Sequence, residues 1–124
     1  MAERVLIVDD HAGFRSMARR LLIAGDYDVV GEAADGTEAI HEVRKLRPDV
    51  VLLDIQLPDL DGFEVAQALA DQQEPPVIVL ISSRARTDYG TRVADSGVHG
   101  FIGKADLSAR TLRRLLRGTD GVHP

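Results

Sequence analysis

Two stretches of this chain, Val50-Val51-Leu52-Leu53 and Val77-Ile78-Val79-Leu80-Ile81, are apolar at every position. A strand with one wet face alternates apolar and polar residues. These runs do not alternate, so both of their faces call for cover. That suits strands in the middle of a parallel sheet flanked by helices.

The rest of the chain provides segments to cover them. Val5-Leu6-Ile7-Val8 is a further apolar run. Phe14, Met17, Ala18, Leu21 and Leu22 follow it at helical spacing, and Gly25 stops the stripe. Val29-Val30 with Ala33 is a weaker strand. It is followed by a turn at Asp35-Gly36-Thr37 in which Thr37 is the expected N-cap. Ala39, Ile40, Val43 and Leu46 form the next stripe, which stops before Pro48. A loop from Pro58 to Gly62 leads into a third helix carrying Phe63, Ala66, Leu69 and Ala70. Pro75-Pro76 then breaks the chain before the strand Val77 to Ser82. A fourth helix is expected over roughly Thr87 to Asp95, weakened by Gly90. His99 to Gly103 reads as a fifth strand, and Leu107, Leu112, Leu115 and Leu116 mark a fifth helix with Ser108 as its cap. This alternation predicts an α/β fold, a doubly wound five-stranded parallel sheet with five helices. With 124 residues, 44% of them hydrophobic, the chain has the size of one domain. That domain is expected over residues 1–118, with 119–124 a polar tail or the start of a linker.

Several function classes drop out. There is no cysteine, which removes thiolate-bound zinc, thiol catalysis and redox switching. The net charge of −5 argues against nucleic acid as this segment's ligand. No apolar run reaches membrane-spanning length, and the apolar stretch after Arg4 is too short for a signal peptide. The composition suits a cytoplasmic protein.

Ligands of open parallel sheets bind beyond the carboxyl ends of the strands. Those ends carry a pattern. The first strand ends in Asp9-Asp10, the third in Asp54, the fourth in Ser82, and Lys104 follows the fifth. Converging carboxylates repel one another. A hard cation with oxygen ligands resolves the repulsion, and Mg²⁺ fits because it needs few protein ligands and keeps its waters. An ammonium and a hydroxyl beside such a cluster suit a phosphoryl group, with the central acid Asp54 as its nucleophile. Taken singly, each residue has an ordinary reading: Asp9-Asp10 as helix caps, Asp54 and Ser82 as turn residues, Lys104 as a solvated lysine. The joint pattern sets them apart. His11, His41, His99 and His123 show no metal-ligand spacing and are read as non-ligands. The arginines Arg110, Arg113, Arg114 and Arg117 read first as a solvated face.

The blocks V-L-I-V-D-D-H, V-V-L-L-D-I-Q-L-P-D-L-D-G, V-I-V-L-I-S-S and G-F-I-G-K resemble, in order and spacing, the signature blocks of response-regulator receivers of two-component systems. The likeness runs from about Arg4 to about Arg117. It implies a flavodoxin-like sheet of order 2-1-3-4-5. It also implies Mg²⁺-dependent phosphorylation of Asp54 by a histidine kinase or phosphotransfer protein, with Asp10 a direct metal ligand and Asp9 acting through water. The Gln56 carbonyl matches the backbone metal ligand, Lys104 the phosphate-binding lysine, Ser82 the switch hydroxyl, and Phe101 the aromatic switch position. Phe101 is expected to be partly exposed. The resemblance further implies that helix four, strand five and helix five form a docking surface for a second copy or an output domain. The chain would then be a signalling switch that catalyses only its own phosphorylation and dephosphorylation. His11 and the G-V-H-G-F-I-G-K block are similar, more loosely, to receivers that carry helix-turn-helix outputs.

Two positions depart from the family. Ala105 stands where a proline with a cis bond is common. A cis bond to a non-proline costs roughly 3 kcal/mol, so either the site holds that strain or the loop is built differently. Gln56 and Arg84 occupy the places that tune phosphoryl lifetime. Three rivals remain to be weighed. An aspartyl-phosphate hydrolase would carry a second acid where Gln56 stands. A flavin carrier would need a Ser, Thr and Gly-rich first loop instead of Asp9-Asp10-His11-Ala12-Gly13. A receiver-like interaction module that is never phosphorylated would have no use for the full acid set.

Overall fold

The computed structural model describes residues 2–118. The tail or linker expected at 119–124 lies outside the described residues. Twelve segments alternate along the chain. They are β1 (Arg4–Val8), α1 (Ala12–Ala24), β2 (Asp28–Ala33), α2 (Gly36–Leu46), β3 (Val50–Asp54), α3 (Gly62–Ala70), β4 (Val77–Ser82), a 3₁₀ turn (Arg86–Tyr89), α4 (Arg92–Asp95), β5 (Gly100–Gly103), a second 3₁₀ turn (Lys104–Asp106) and α5 (Ala109–Arg117). All strand pairs are parallel, in the order β2-β1-β3-β4-β5.

The period-2 geometry of a strand sends neighbouring side chains to opposite faces. Because β1, β3 and β4 are apolar except for Arg4, Asp54 and Ser82 at their ends, both faces become core. Leu6, Val8, Val51, Leu53 and Leu80 pack with Ala39, Val43, Val65, Ala66 and Leu69 of α2 and α3. Val5, Ile7, Val50, Leu52, Val79 and Ile81 pack with Ala18 and Leu22 of α1 and Leu112 of α5. Every residue of β3 is buried.

Three local expectations change. The N-cap of α2 is Asp35, whose side chain accepts from the Glu38 N–H, rather than Thr37. Both residue types cap well, but Thr37 is drawn to a distant partner: its hydroxyl donates to Asp59 at 2.7 Å. The fourth helix is not continuous over Thr87 to Asp95. It breaks at Gly90, whose φ of +59° disfavours any side chain, and only Arg92–Asp95 is α-helical. The segment has little to anchor it, since Val93 is its one buried residue. Finally, Leu107 precedes α5 instead of opening it. Ser108 caps that helix as expected, accepting from Thr111 N–H at 3.0 Å, while Leu107 is buried in the same cluster as Leu112.

At Ala105 the loop is built differently: the described peptide bonds are all trans, and Lys104–Asp106 form a 3₁₀ turn. No helix among the described residues is long and apolar enough to cross a membrane.

Candidate functional site

Parallel register places the site. Val8 pairs with Leu53, Asp54 with Ile81, and Ser82 with Gly103. The residues at or just beyond these rungs, Asp9, Asp54, Ser82 and Lys104, therefore share one edge of the sheet. Among the described residues, Asp9, Asp54 and Ser82 are the only polar or charged side chains that are buried. Burying carboxylates in an apolar core costs several kcal/mol each unless charge and hydrogen bonds compensate (about that size after protein relaxation). Among the described residues the fold places that cost only here, which makes the edge the candidate functional site.

The compensation is partial. Lys104 Nζ lies 2.6 Å from Asp9 Oδ2 and 3.2 Å from Asp54 Oδ2. Burial alone would lower the Lys104 ammonium, but Asp9 and Asp54 outweigh it and hold its pKa above the usual lysine range. The Lys104 ammonium also lies 4.8 Å from the centre of the Phe14 ring. Asp54 Oδ1 accepts from Gln56 N–H at 3.1 Å. Burial first, and then the charge of Asp9, push the Asp54 pKa up to about 6. The Asp54 carboxyl is still mostly ionised at neutral pH.

Asp9 is fully buried, and the Lys104 ammonium at 2.6 Å is the charged partner of its Oδ2. Asp10 lies beside it with its side chain 36% exposed. Asp9, Asp10, His11 and Asp54 each offer a donor atom, all within 4.8 Å of one another. Three carboxylates against one ammonium leave an excess of negative charge. This set of oxygen donors with a surplus of negative charge suits a hard divalent cation.

Sequence spacing gives His11 no ligand role. The fold nonetheless brings its Nδ1 to 3.3 Å from Asp9 Oδ1 and 3.1 Å from Asp10 Oδ1. Its backbone N–H donates to Asp9 Oδ1 at 2.8 Å, which helps fix that carboxylate. Of Gln56, the backbone N–H meets Asp54 and the residue is otherwise exposed. Phe101 is half-buried, as expected for its position.

The remaining supports escaped the sequence reading. Arg15 donates to the Asp9 carbonyl at 2.6 Å and to Glu32 at 3.0 Å, and Arg19 donates to Glu32 at 2.7 Å. Burial would raise the Glu32 carboxyl, but Arg19 and Arg15 outweigh it and hold it below the usual range. Asp59, in the loop after β3, accepts from Gly36 N–H, Thr37 N–H and the Thr37 hydroxyl. Those bonds hold its pKa far below an ordinary carboxylate and tether the loop to the α2 terminus. Gly62 closes the same loop: a Cβ there would lie 2.6 Å from the Asp54 carbonyl oxygen, so α3 can start against β3 only with glycine. The pair of acids flanking Leu60 was the available signal for this loop. Tyr89 was missed outright. Its hydroxyl lies 2.6 Å from Ser82 Oγ, and Arg84 N–H donates to the same oxygen at 3.0 Å.

Known proteins resemble this chain in fold and sequence. The signal receiver domain of NarL from Mycobacterium tuberculosis superposes with a TM-score of 0.84 at 33% identity, covering 97% of this chain and 98% of that one. The DNA-binding transcriptional activator EvgA of Escherichia coli K12 is 33% identical over 101 residues, which cover 82% of this chain and 50% of EvgA. The protein-glutamate methylesterase/protein-glutamine glutaminase 6 of Anaeromyxobacter dehalogenans is 42% identical over 104 residues, 83% of this chain and 29% of that protein. The chain thus spans about half or less of the length of these curated relatives. Residues 5–117 match the family described as the response regulator receiver domain. With its sheet order, its buried acids and this match over nearly the whole length, the chain belongs to the response regulator receiver domains of two-component systems.

Proposed function

We propose that this domain accepts a phosphoryl group on Asp54 from the phosphohistidine of a histidine kinase or phosphotransfer protein, in a Mg²⁺-dependent reaction. The observation that carries the reading is that, among the described residues, the buried polar side chains are Asp9, Asp54 and Ser82 at one sheet edge, with Lys104 bridging the two acids. Asp54 is the nucleophile. As its carboxylate oxygen forms a P–O bond, the donor P–N bond breaks and the imidazole leaves. Asp9, Asp10, Asp54 and the Gln56 carbonyl would hold Mg²⁺, whose charge offsets that of the phosphoryl oxygens. Gln56 N–H keeps one Asp54 oxygen oriented, leaving the other toward Lys104. Lys104 then transfers its donors to a phosphoryl oxygen, where a charge-assisted bond is strongest. The Ser82 hydroxyl gives a further donor.

Apart from this self-modification the domain is a switch, not an enzyme acting on other substrates. Its readout is the surface of α4, β5 and α5; beside it, a groove of about 570 Å³ between the segment after β4, β5 and α5 is lined by Arg84, Phe101, Arg114 and Leu115 among others. A second copy or an output domain would dock there, in the cytoplasm.

Intact-mass measurement after treatment with a small phosphodonor and Mg²⁺ tests the reading. One added phosphate is expected, and none in Asp54→Asn or with chelator. Labelling unchanged in Asp54→Asn would overturn it.

A further inference from the structure

The aromatic residue of β5, Phe101, has no hydroxyl to offer Ser82. Ser82 nevertheless has an aromatic hydroxyl partner, and it comes from another element. Tyr89, the last residue of the first 3₁₀ turn, places its Oη 2.6 Å from Ser82 Oγ. The Tyr89 ring is half-buried between two others, 5.9 Å from Phe63 in an edge-on contact and 6.3 Å from Phe101 at a tilt. Such pairs are geometrically specific. Phe63 in turn carries the Arg92 guanidinium 4.2 Å from its ring centre, and Arg92 pairs with Asp61 at 3.3 Å. A continuous set of contacts therefore runs from the strand edge through Tyr89 to α4.

The hydroxyl count gives this set a direction. A serine oxygen has one proton to donate and two lone pairs. One lone pair of Ser82 Oγ takes the Arg84 N–H at 3.0 Å. Asp54 draws its hydrogen bonds from Gln56 N–H and Lys104, so the Ser82 proton is free to point at Tyr89. Once a phosphoryl oxygen takes that proton, Tyr89 can keep its bond only by donating to the second lone pair. The partner must then move its own proton, and Tyr89 sits next to Gly90, an exposed residue in left-handed backbone that ends the turn.

We propose that Tyr89 is the positioning residue of this domain's switch: its ring, held between Phe63 and Phe101, sets the hydroxyl that couples Ser82 to the Arg86–Asp95 segment. Phe101 acts as a wall for the Tyr89 ring and not as the hydroxyl-reading aromatic. The inference rests on the reading of Asp54 as phosphoacceptor.

The test compares Tyr89→Phe and Phe101→Leu with the unsubstituted domain by NMR, with and without Mg²⁺ and beryllium fluoride, after mass spectrometry has shown that each is phosphorylated by a small donor. In Tyr89→Phe, shifts at the Ser82 and Arg84 amides should persist. Those over residues 86–95 should fall at least about twofold, since the element both sites bias has lost its link. Phe101→Leu should keep most of the response. A second readout needs no assignment. The chain has two tyrosines and no tryptophan, so Tyr27→Phe leaves Tyr89 as the one emitting side chain, and its fluorescence should change on beryllium fluoride addition. A full response over 86–95 in Tyr89→Phe, or unchanged Tyr89 emission in a domain whose Asp54 is modified, would overturn the role of Tyr89 alone. Absence of any label on Asp54 in the unsubstituted domain would overturn the reading beneath it, and this inference with it.

Discussion

The two halves of the sheet are built to different standards. On one side, β1 and β3 lie in the middle of the sheet, and every residue of β3 and all but the first of β1 are buried. They hold Asp9 and Asp54, braced by Arg15, Lys104 and backbone donors. On the other side, the stretch between β4 and β5 is a 3₁₀ turn, a left-handed glycine and a four-residue helix, with Val93 as its buried anchor. One region fixes charges that would otherwise repel. The other has little to hold it in a single arrangement. Elements with few buried apolar contacts open at low cost, and moving parts are drawn from them. On the proposed reading, the contrast means that modification of Asp54 would be sensed where the structure is stiff and reported where it is loose.

The largest expected effect compares the two regions with one kind of side chain. Val51 of β3 and Val93 of α4 belong to the same core cluster and are both buried. Val51→Ala should cost about 2–3 kcal/mol, because the central sheet cannot close over the lost methyls. Val93→Ala should cost about 1 kcal/mol or less, because a short helix can settle into the gap. Urea unfolding measures both, and equal losses would break the comparison.

A smaller effect concerns the repulsion held in the stiff half. The Asp54 pKa is raised to about 6 by burial and by Asp9. A carboxyl raised on folding contributes stability that is present at low pH and lost as pH climbs through the folded value. In chelator, the domain should therefore lose stability between about pH 4 and 6, and Asp54→Asn should not. At pH 7 Asp54→Asn should be more stable by about 3 kcal/mol, and at pH 4 the two should nearly coincide. Melts at the two pH values check this, and a destabilised Asp54→Asn at pH 7 would mean that Lys104 more than offsets the repulsion.

The smallest effect lies in the loose half. Gly90→Ala places a side chain at a φ of +59°. Nothing crowds the position, so the cost is backbone strain of about 1 kcal/mol. Because the segment opens on its own, amide exchange over residues 91–95 should quicken more than global stability falls.

Most of the stiff half was legible in the sequence. Unbroken apolar runs have one good solution, and the polar residues that end them are conspicuous. Asp9, Asp10, Asp54, Ser82 and Lys104 all reach the strand edge for that reason. What stayed hidden depends on partners far apart in the chain. Thr37 looks as good a cap as Asp35 until Asp59, 22 residues on, claims it. His11 follows Asp9 and Asp10 directly and so shows no ligand spacing along the sequence; only the fold adds Asp54 from the neighbouring strand to that cluster. The fourth helix was drawn too long because its segment lacks an apolar stripe and its boundary rests on Gly90 alone. Tyr89 gave no signal, since a lone tyrosine in a polar stretch acquires meaning only when the 3₁₀ turn brings it to Ser82.

The division of labour can be measured at once by amide hydrogen exchange on the Mg²⁺-loaded domain, with and without beryllium fluoride. The expected result is a change in exchange over residues 83–95, with the amides of Val50 to Leu53 protected and unchanged. Full occupancy of Asp54 with exchange altered in β1 and β3 but not over 83–95 would contradict it.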